Sequence, residues 1–409
     1  MLSCAFLSAE ETNSSKKTIL VLSSKGGGGH IAAANTLQTL LGEEYDLKIV
    51  YPIDQLHIWG VPSGEQIYNT MLRNGWTRSL NFIVRHVAPP VFHARITKVE
   101  NIIGSYIDFY QPDLVISLIP FVNYPASEAA RENEVPYLLI TTDNDLRNWA
   151  FEMERITHPN FKVTIGSDLP TTRDVLIQKK IPVDAIETIG LPLRSEFLVE
   201  KDFDQIFEEF DFPDDKDIVL IMMGGAGGAG ALEFAKMIGN TDLGVHLLVV
   251  AGRNEKLKKD LEGLELNESN SMTVFGFTDR VADLMAVSDV IITKPGPGTI
   301  NEAIAMQLPI LIDNTDISVF WERANVDMVM KYGIGERIRE FDDVKELLEV
   351  FLRDDEIRET LAESYVGVPP NLFHKRIQGI IEEMIEINDQ FLDPIAFEGE
   401  YAATAEESL

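Results

Sequence analysis

Residues 218–239 read IVLIMMGGAGGAGALEFAKMIG: six apolar residues, a glycine-rich break, then a helical pattern. An unbroken apolar run bounded by turn residues fits a strand buried on both faces, as in parallel sheets. Residues 18–41, TILVLSSKGGGGHIAAANTLQTLL, repeat the plan. Working outward from the first stretch, further strands are predicted at His246–Ala251, Thr273–Gly276, Val290–Thr293 and Pro309–Ile312. Around the second stretch they fall at Leu47–Tyr51, Leu114–Leu118, Tyr137–Thr141, Val163–Gly166 and Glu187–Ile189. Strands alternating with helices define an α/β protein with parallel sheets.

Between Gly190 and Asp217 the pattern loosens into prolines (Pro192, Pro213) and acidic residues, which marks a domain boundary. The reading is two Rossmann-like doubly wound domains, 17–195 and 196–370, facing a central cleft, with ligands expected at the strand carboxyl ends. An amphipathic closing helix spans 371–391, between a disordered N-terminus (1–16) and an acidic tail (392–409). No apolar run reaches the roughly 18–20 residues that span a bilayer. Cys4 is the single cysteine, so no internal disulfide can form, which suits a reducing cytoplasm.

The net charge of −31 sets the chain apart from nucleic-acid-binding proteins, because such a surface repels a polyanion. That charge is unevenly spread. Between Gln66 and Lys98 there is no Asp or Glu, while Arg73, Arg78, Arg85, Arg95 and Lys98 contribute +5, leaving 30 basic against 66 acidic residues elsewhere. Tyr68, Trp76, Phe82 and Phe92 are interleaved with those cations. Aromatic rings suit headgroup depth and each cation near an anionic leaflet is worth about 1 kcal/mol, so reversible membrane-surface binding through Arg73, Trp76, Arg78, Arg85, Arg95 and Lys98 is expected. A pair of ordinary amphipathic helices is the plainer alternative.

The first glycine loop, Ser23–His30, ends in Gly-His and not in the Gly-Lys-Ser/Thr of a nucleotide P-loop. A dinucleotide fingerprint starting at Gly26 would need a third glycine where Ile31 stands. Gly27, Gly28 and Gly29 would let backbone approach a ligand, and His30 at the helix start is suited to accept a proton. In the second domain, Lys294-Pro295-Gly296-Pro297-Gly298-Thr299 joins a buried strand to a helix. Amides at Gly298 and Thr299 would face a diphosphate, and Glu302 could accept hydrogen bonds from a ribose diol.

These elements resemble glycosyltransferase family 28, in particular the monogalactosyldiacylglycerol synthase and processive diacylglycerol glycosyltransferase group. The similarity lies in SSKGGGGHIAAA, MMGGAGGAG, AGRNEKL and KPGPGT-x-x-EA, spread over about Lys17–Glu336. The resemblance implies a GT-B fold, an inverting hexose transfer from a UDP-sugar to a membrane lipid, and no catalytic metal or other cofactor. It implies a donor site made of Gly224, Gly225, Gly227, Gly228, Arg253, Phe277, Lys294, Gly296, Gly298, Thr299, Glu302, Glu322 and Asn325, with the lipid acceptor in the first domain. A peripheral protein on the inner, cytoplasmic face of the membrane follows. His30 or Asp143 would take the acceptor proton, with His30 favoured. Two positions depart from the family: Arg147-Asn148-Trp149 stands where a histidine is usual, and Trp321 replaces the glutamine of a Gln-Glu pair. A non-catalytic UDP-sugar-binding partner or sensor is therefore the alternative, and a sugar-nucleotide epimerase a third.

Overall fold

The computed structural model describes residues 16–26, 28–56, 66–67, 70–71, 75–225, 227–228 and 230–392. Two parallel six-stranded sheets form the frame. The first contains β1 (Thr18–Leu22), β2 (Asp46–Val50), β3 (Leu114–Ser117), β4 (Tyr137–Ile140), β5 (Phe161–Ile165) and β6 (Ile186–Thr188), in the order β2-β1-β3-β4-β5-β6. The second contains β7 (Ile218–Met222), β8 (His246–Val250), β9 (Ser271–Phe275), β10 (Val290–Thr293), β11 (Ile310–Asp313) and β12 (Gly335–Ile338), in the order β12-β11-β10-β7-β8-β9. The edge strand β12, GERI, has no counterpart in the sequence reading.

The apolar runs are continuous because each central strand is covered on both faces. Leu20 and Leu22 of β1 enter one core and Ile19 and Val21 the other. Likewise Ile218, Leu220 and Met222 of β7 face one way, and Val219 and Ile221 the other. In each sheet the strand order reverses beside the first strand, between β1 and β3 and between β7 and β10. Such a reversal opens a crevice at the strand carboxyl ends. Both glycine loops leave from it.

The closing helix, Phe373–Leu392, does not stay with the domain that precedes it. Phe373, Ile377, Ile381 and Met384 are buried against Ile19, Val21 and Leu37 of the first sheet's core. At the crossing, Gly190 has φ 96°, and a Cβ there would lie 2.4 Å from the Asn371 side-chain oxygen. Asn371 in turn donates to the Leu191 carbonyl (2.9 Å).

The basic stretch forms an α-helix at Thr77–Phe82, a π-turn at Ile83–Val87 and an α-helix at Ala88–His93. Pro89 and Pro90 explain the widening, since they offer no N–H to the carbonyls four residues back and their rings clash with them. Among the described residues no helix is long and apolar enough to cross a membrane.

Candidate active site

The second glycine loop is shaped by close packing. Gly224 (φ 79°) and Gly227 (φ 71°) take left-handed conformations, and a Cβ on Gly227 would lie 2.1 Å from the Ala251 carbonyl oxygen. Gly252, also left-handed, lies under the Gly225 carbonyl, which accepts from the Arg253 N–H (3.1 Å). Beyond it the Arg253 guanidinium stacks on the Phe277 ring at 3.8 Å, and that ring is exposed. Gly228 packs over Met223, and Gly225 has open space where its side chain would be.

Lys294, at the end of β10, reaches across this loop, so that a Cβ on Gly224 would touch its Cε at 3.0 Å. Its ammonium stands 4.0 Å from Glu322 Oε1. Burial raises the Glu322 carboxyl above its ordinary value, and Lys294 partly opposes that shift. Gly296 caps the helix Pro297–Ala305, whose first turn carries Gly298, exposed, and Thr299, half-buried. Cation, glycine loop and helix start converge on the β7/β10 crevice, an arrangement suited to a diphosphate.

Glu302 lies on the same helix. Its Oε1 accepts from Arg194 Nε (3.0 Å) and pairs with a terminal nitrogen of that guanidinium (2.8 Å), which leaves Oε2 for other partners. Burial raises this carboxyl too, against the pull of Arg194. The pair spans 108 residues, and Arg194 lies in the loosened stretch between the domains, where periodicity gives no hint of it. Asn325 lies against the same loop. Its amide donates to the Pro295 carbonyl (2.8 Å), its oxygen accepts from Asn144 (3.0 Å), and it is 1% exposed. It therefore braces the KPGPGT loop and joins the domains.

On the first sheet, Asp143 follows β4 and His30 opens the helix after β1. The indole N–H of Trp149 donates to Asp143 Oδ2 (2.9 Å), and the same ring lies 5.9 Å from the His30 imidazole. Burial pushes the Asp143 carboxyl up to about 7, against the Trp149 bond, with the charges of Glu322 and Asp145 adding to the rise. Next to Asp143, Asn144 donates to Asn325 of the second domain (3.0 Å), so the ends of the two sheets meet here. Burial lowers His30 to about 4, so its ring is neutral at neutral pH. The Thr142 hydroxyl is 3.3 Å from His30 Nδ1 and the Leu118 backbone also holds the ring. Gly28 and Gly29 border open space, with nothing within 4 Å of a Cβ on either.

Arg147 binds the carboxylate of Asp145 and places its guanidinium 5.3 Å from the Phe320 ring. Trp321 packs with Met71, Leu80 and Val319. Of the expected membrane residues, Trp76, Arg78 and Lys98 are exposed and Arg95 is half-buried. Arg85 is exposed too, yet its guanidinium stacks on Phe320 of the second domain at 4.7 Å. Gly27, Arg73 and nearly all of both predicted tails lie outside the described residues. Among the described residues no group of three or more His, Cys, Asp or Glu side chains is arranged to hold a metal ion.

Residues 219–317, which include β7, the second glycine loop and KPGPGT, match the glycosyltransferase family 28 C-terminal domain. Over that stretch the second domain is similar to glycosyltransferase family 28. The match agrees with similarity to processive diacylglycerol beta-glucosyltransferases. That of Bacillus cereus (strain AH187) is 26% identical over 60% of this chain and 61% of its own. That of Bacillus licheniformis is 30% identical over 50% and 51%. The chain thus spans about three-fifths of the length of the first of these relatives. Among solved structures, Acinetobacter baumannii MurG superposes with TM-score 0.58 at 14% identity, over 90% of this chain and 99% of MurG. A UDP-GlcNAc 2-epimerase from Neisseria meningitidis, bound to UDP-GlcNAc, gives 0.54 at 15% identity, over 90% and 100%. The fold is GT-B, two Rossmann-like domains flanking a cleft.

Proposed function

We propose that the chain is an inverting hexosyltransferase that moves a sugar from UDP to the hydroxyl of a diacylglycerol-type lipid at a membrane surface. One observation carries this reading: the crevice holding Lys294, Glu322 and Glu302 meets the end of β4, with its half-buried Asp143, across the Asn144–Asn325 contact. In the reading, uracil lies on the Arg253–Phe277 pair and the ribose diol binds Glu302 Oε2. The diphosphate rests on the second glycine loop and on the Gly298 and Thr299 amides, beside Lys294. Glu322 accepts from hydroxyls of the sugar.

The acceptor oxygen enters past Gly28 and Gly29 and attacks the anomeric carbon from the face opposite the diphosphate. The bond from that carbon to the phosphate oxygen breaks, and UDP departs with the electron pair. Lys294 and the oriented amides meet the charge that develops, which is the role left to fixed dipoles where no metal assists. Asp143 takes the acceptor proton. Its carboxyl near 7 is better matched to neutral pH than an imidazole near 4, so the preference passes from His30 to Asp143. His30 then lines the acceptor entrance in its neutral form.

The exposed face of the helix Thr77–His93 supports peripheral docking on an anionic, inner membrane surface: Trp76, Phe82, Val87 and Val91 lie open beside Arg78. Radiolabelled UDP-hexoses presented with diacylglycerol-containing vesicles test the reading by chromatography of the lipid products. Transfer of one sugar with release of UDP is expected. Tight UDP binding with no lipid product from any donor would replace it with a non-catalytic sugar-nucleotide binder, the outcome that Trp321 and Arg147 motivate.

A further inference from the structure

The same basic helix that supports membrane docking also grips the second domain beside the donor site. Asn81 makes two hydrogen bonds to one short loop: its Nδ2 donates to the Ser318 carbonyl (3.1 Å), and its Oδ1 accepts from the Phe320 N–H (3.0 Å). One amide side chain thus acts as both donor and acceptor to the backbone of a segment more than 230 residues away. An apolar contact surrounds the pair, where Met71 and Leu80 pack on Val319 and Trp321. Phe320 lies within cation–π reach of two guanidinium groups of the first domain, Arg85 at 4.7 Å and Arg147 at 5.3 Å. Directly after this loop comes Glu322, the carboxylate opposite Lys294, and then Asn325, which braces Pro295.

The far end of the helix is fixed to its own domain. Phe92 stacks on Phe121 at 5.0 Å, and His93 binds the carboxylate of Glu152. Phe121 and Glu152 both hold positive φ, 68° and 55°. Non-glycine residues persist there only where the surroundings over-determine them. Between the two attachments the helix exposes Phe82 (61%), Val87 (42%) and Val91 (41%). The exposed apolar side chains and the donor-loop contact therefore belong to one continuous helical segment.

We propose that Asn81 is a positioning residue that ties the Ser318–Glu322 loop to the membrane-facing helix, so that lipid-surface binding tightens the donor site. This rests on the reading of that site as a UDP-sugar pocket. A bilayer that orders the helix favours the state in which Asn81 holds the loop, and that state seats Glu322 beside Lys294 and Asn325 under the Pro295 carbonyl, so that the groups around the diphosphate are in place before UDP binds. Linkage requires the converse, so that bound nucleotide strengthens vesicle binding by the same factor.

The test uses the full chain and two variants, Asn81→Ala and Asn81→Asp. Asn81→Asp keeps an oxygen for the Phe320 N–H and loses the donor to Ser318. Calorimetry measures UDP affinity without vesicles and with vesicles of equal parts phosphatidylglycerol and phosphatidylcholine. Flotation measures vesicle binding, and circular dichroism checks folding. In the wild-type chain the vesicles should raise UDP affinity by about 5- to 10-fold, within the range of ordinary coupling. Asn81→Ala should float equally well and show no vesicle effect on UDP, with Asn81→Asp in between. In turnover, donor KM should rise about tenfold in Asn81→Ala at nearly unchanged kcat, as expected when two hydrogen bonds that order the site are lost. A wild-type UDP affinity indifferent to vesicles, or a vesicle effect that survives in both variants, overturns the inference while leaving the proposed reaction standing. A wild-type chain that binds no UDP under any condition overturns both.

Discussion

Gly227 has no room for a side chain, whereas Gly28 and Gly29 have room and no side chain. A Cβ on Gly227 would meet the Ala251 carbonyl at 2.1 Å, while on Gly28 or Gly29 it would meet nothing within 4 Å. Both loops follow the first strand of a parallel sheet and both open a helix. The second is glycine-rich because its own backbone is folded tightly against the end of β8. The first has open space at Gly28 and Gly29, the room that the proposed acceptor would use beside His30 and Asp143. On that reading one loop is packed by its own backbone and the other is kept clear.

The strongest way to break this contrast acts on the chemistry the open loop serves. Asp143→Asn should lower kcat by about 10²–10⁴-fold, the usual contribution of a general base, with UDP affinity unchanged by calorimetry. Near-normal turnover would return the role of base to His30. A pH profile sharpens the same point. With Asp143 as base, kcat/KM should rise with pH along a limb near 7, because only the ionised carboxylate can take the proton. With His30 as base, the limb would fall near 4.

Asp143 also carries a stability signature of fixed sign. Its raised value means that the fold favours the neutral acid. The stability it lends is complete below the ordinary 3.8 and is lost as pH rises through about 7. Thermal melts of wild-type and Asp143→Asn proteins should therefore diverge in favour of the variant as pH climbs through that range.

For the packed loop, Gly227→Ala should destabilise the fold by roughly 1–3 kcal/mol through backbone strain alone, read as a lowered denaturation midpoint, and should abolish UDP binding. Gly29→Ala should be the mildest change. The melting temperature and UDP affinity should stay at wild-type values, and acceptor KM alone should rise, measured at saturating donor. A Gly29→Ala protein that unfolds early would end the contrast, since it would mean that the open loop also relies on packing.

Much of the frame was legible because burial on both faces leaves unbroken apolar runs in central strands such as β1, β3 and β7. The edge strand β12 was not, because GERI is half polar and largely half-buried. The glycine loops and KPGPGT were legible as punctuation between strand and helix. The partners that tune the candidate site were not. Arg194 on Glu302 and Asn81 on Phe320 are tertiary pairings, about which local spacing carries no information, and Trp149 reaches the nearby Asp143 through an irregular turn that no helix or strand period describes. Asn325 stands at the expected position of the motif, and the fold adds what spacing could not give, its bonds to Pro295 and Asn144. A residue type at a known spacing indicates where a side chain lies, and only the fold shows what its atoms are bonded to.

The return of the closing helix to the first sheet bears on how the molecule is made. While the nascent chain emerges, the core that Ile19 and Val21 share with Leu37 of the first helix stays incomplete until Phe373 and Ile377 have been translated. The first domain therefore waits for the second, and a gene cut between β6 and β7 would yield an amino-terminal fragment prone to aggregate. Supplying the helix Phe373–Leu392 as a separate peptide should rescue that fragment's solubility, which makes the crossing a natural place to split the chain into complementing parts.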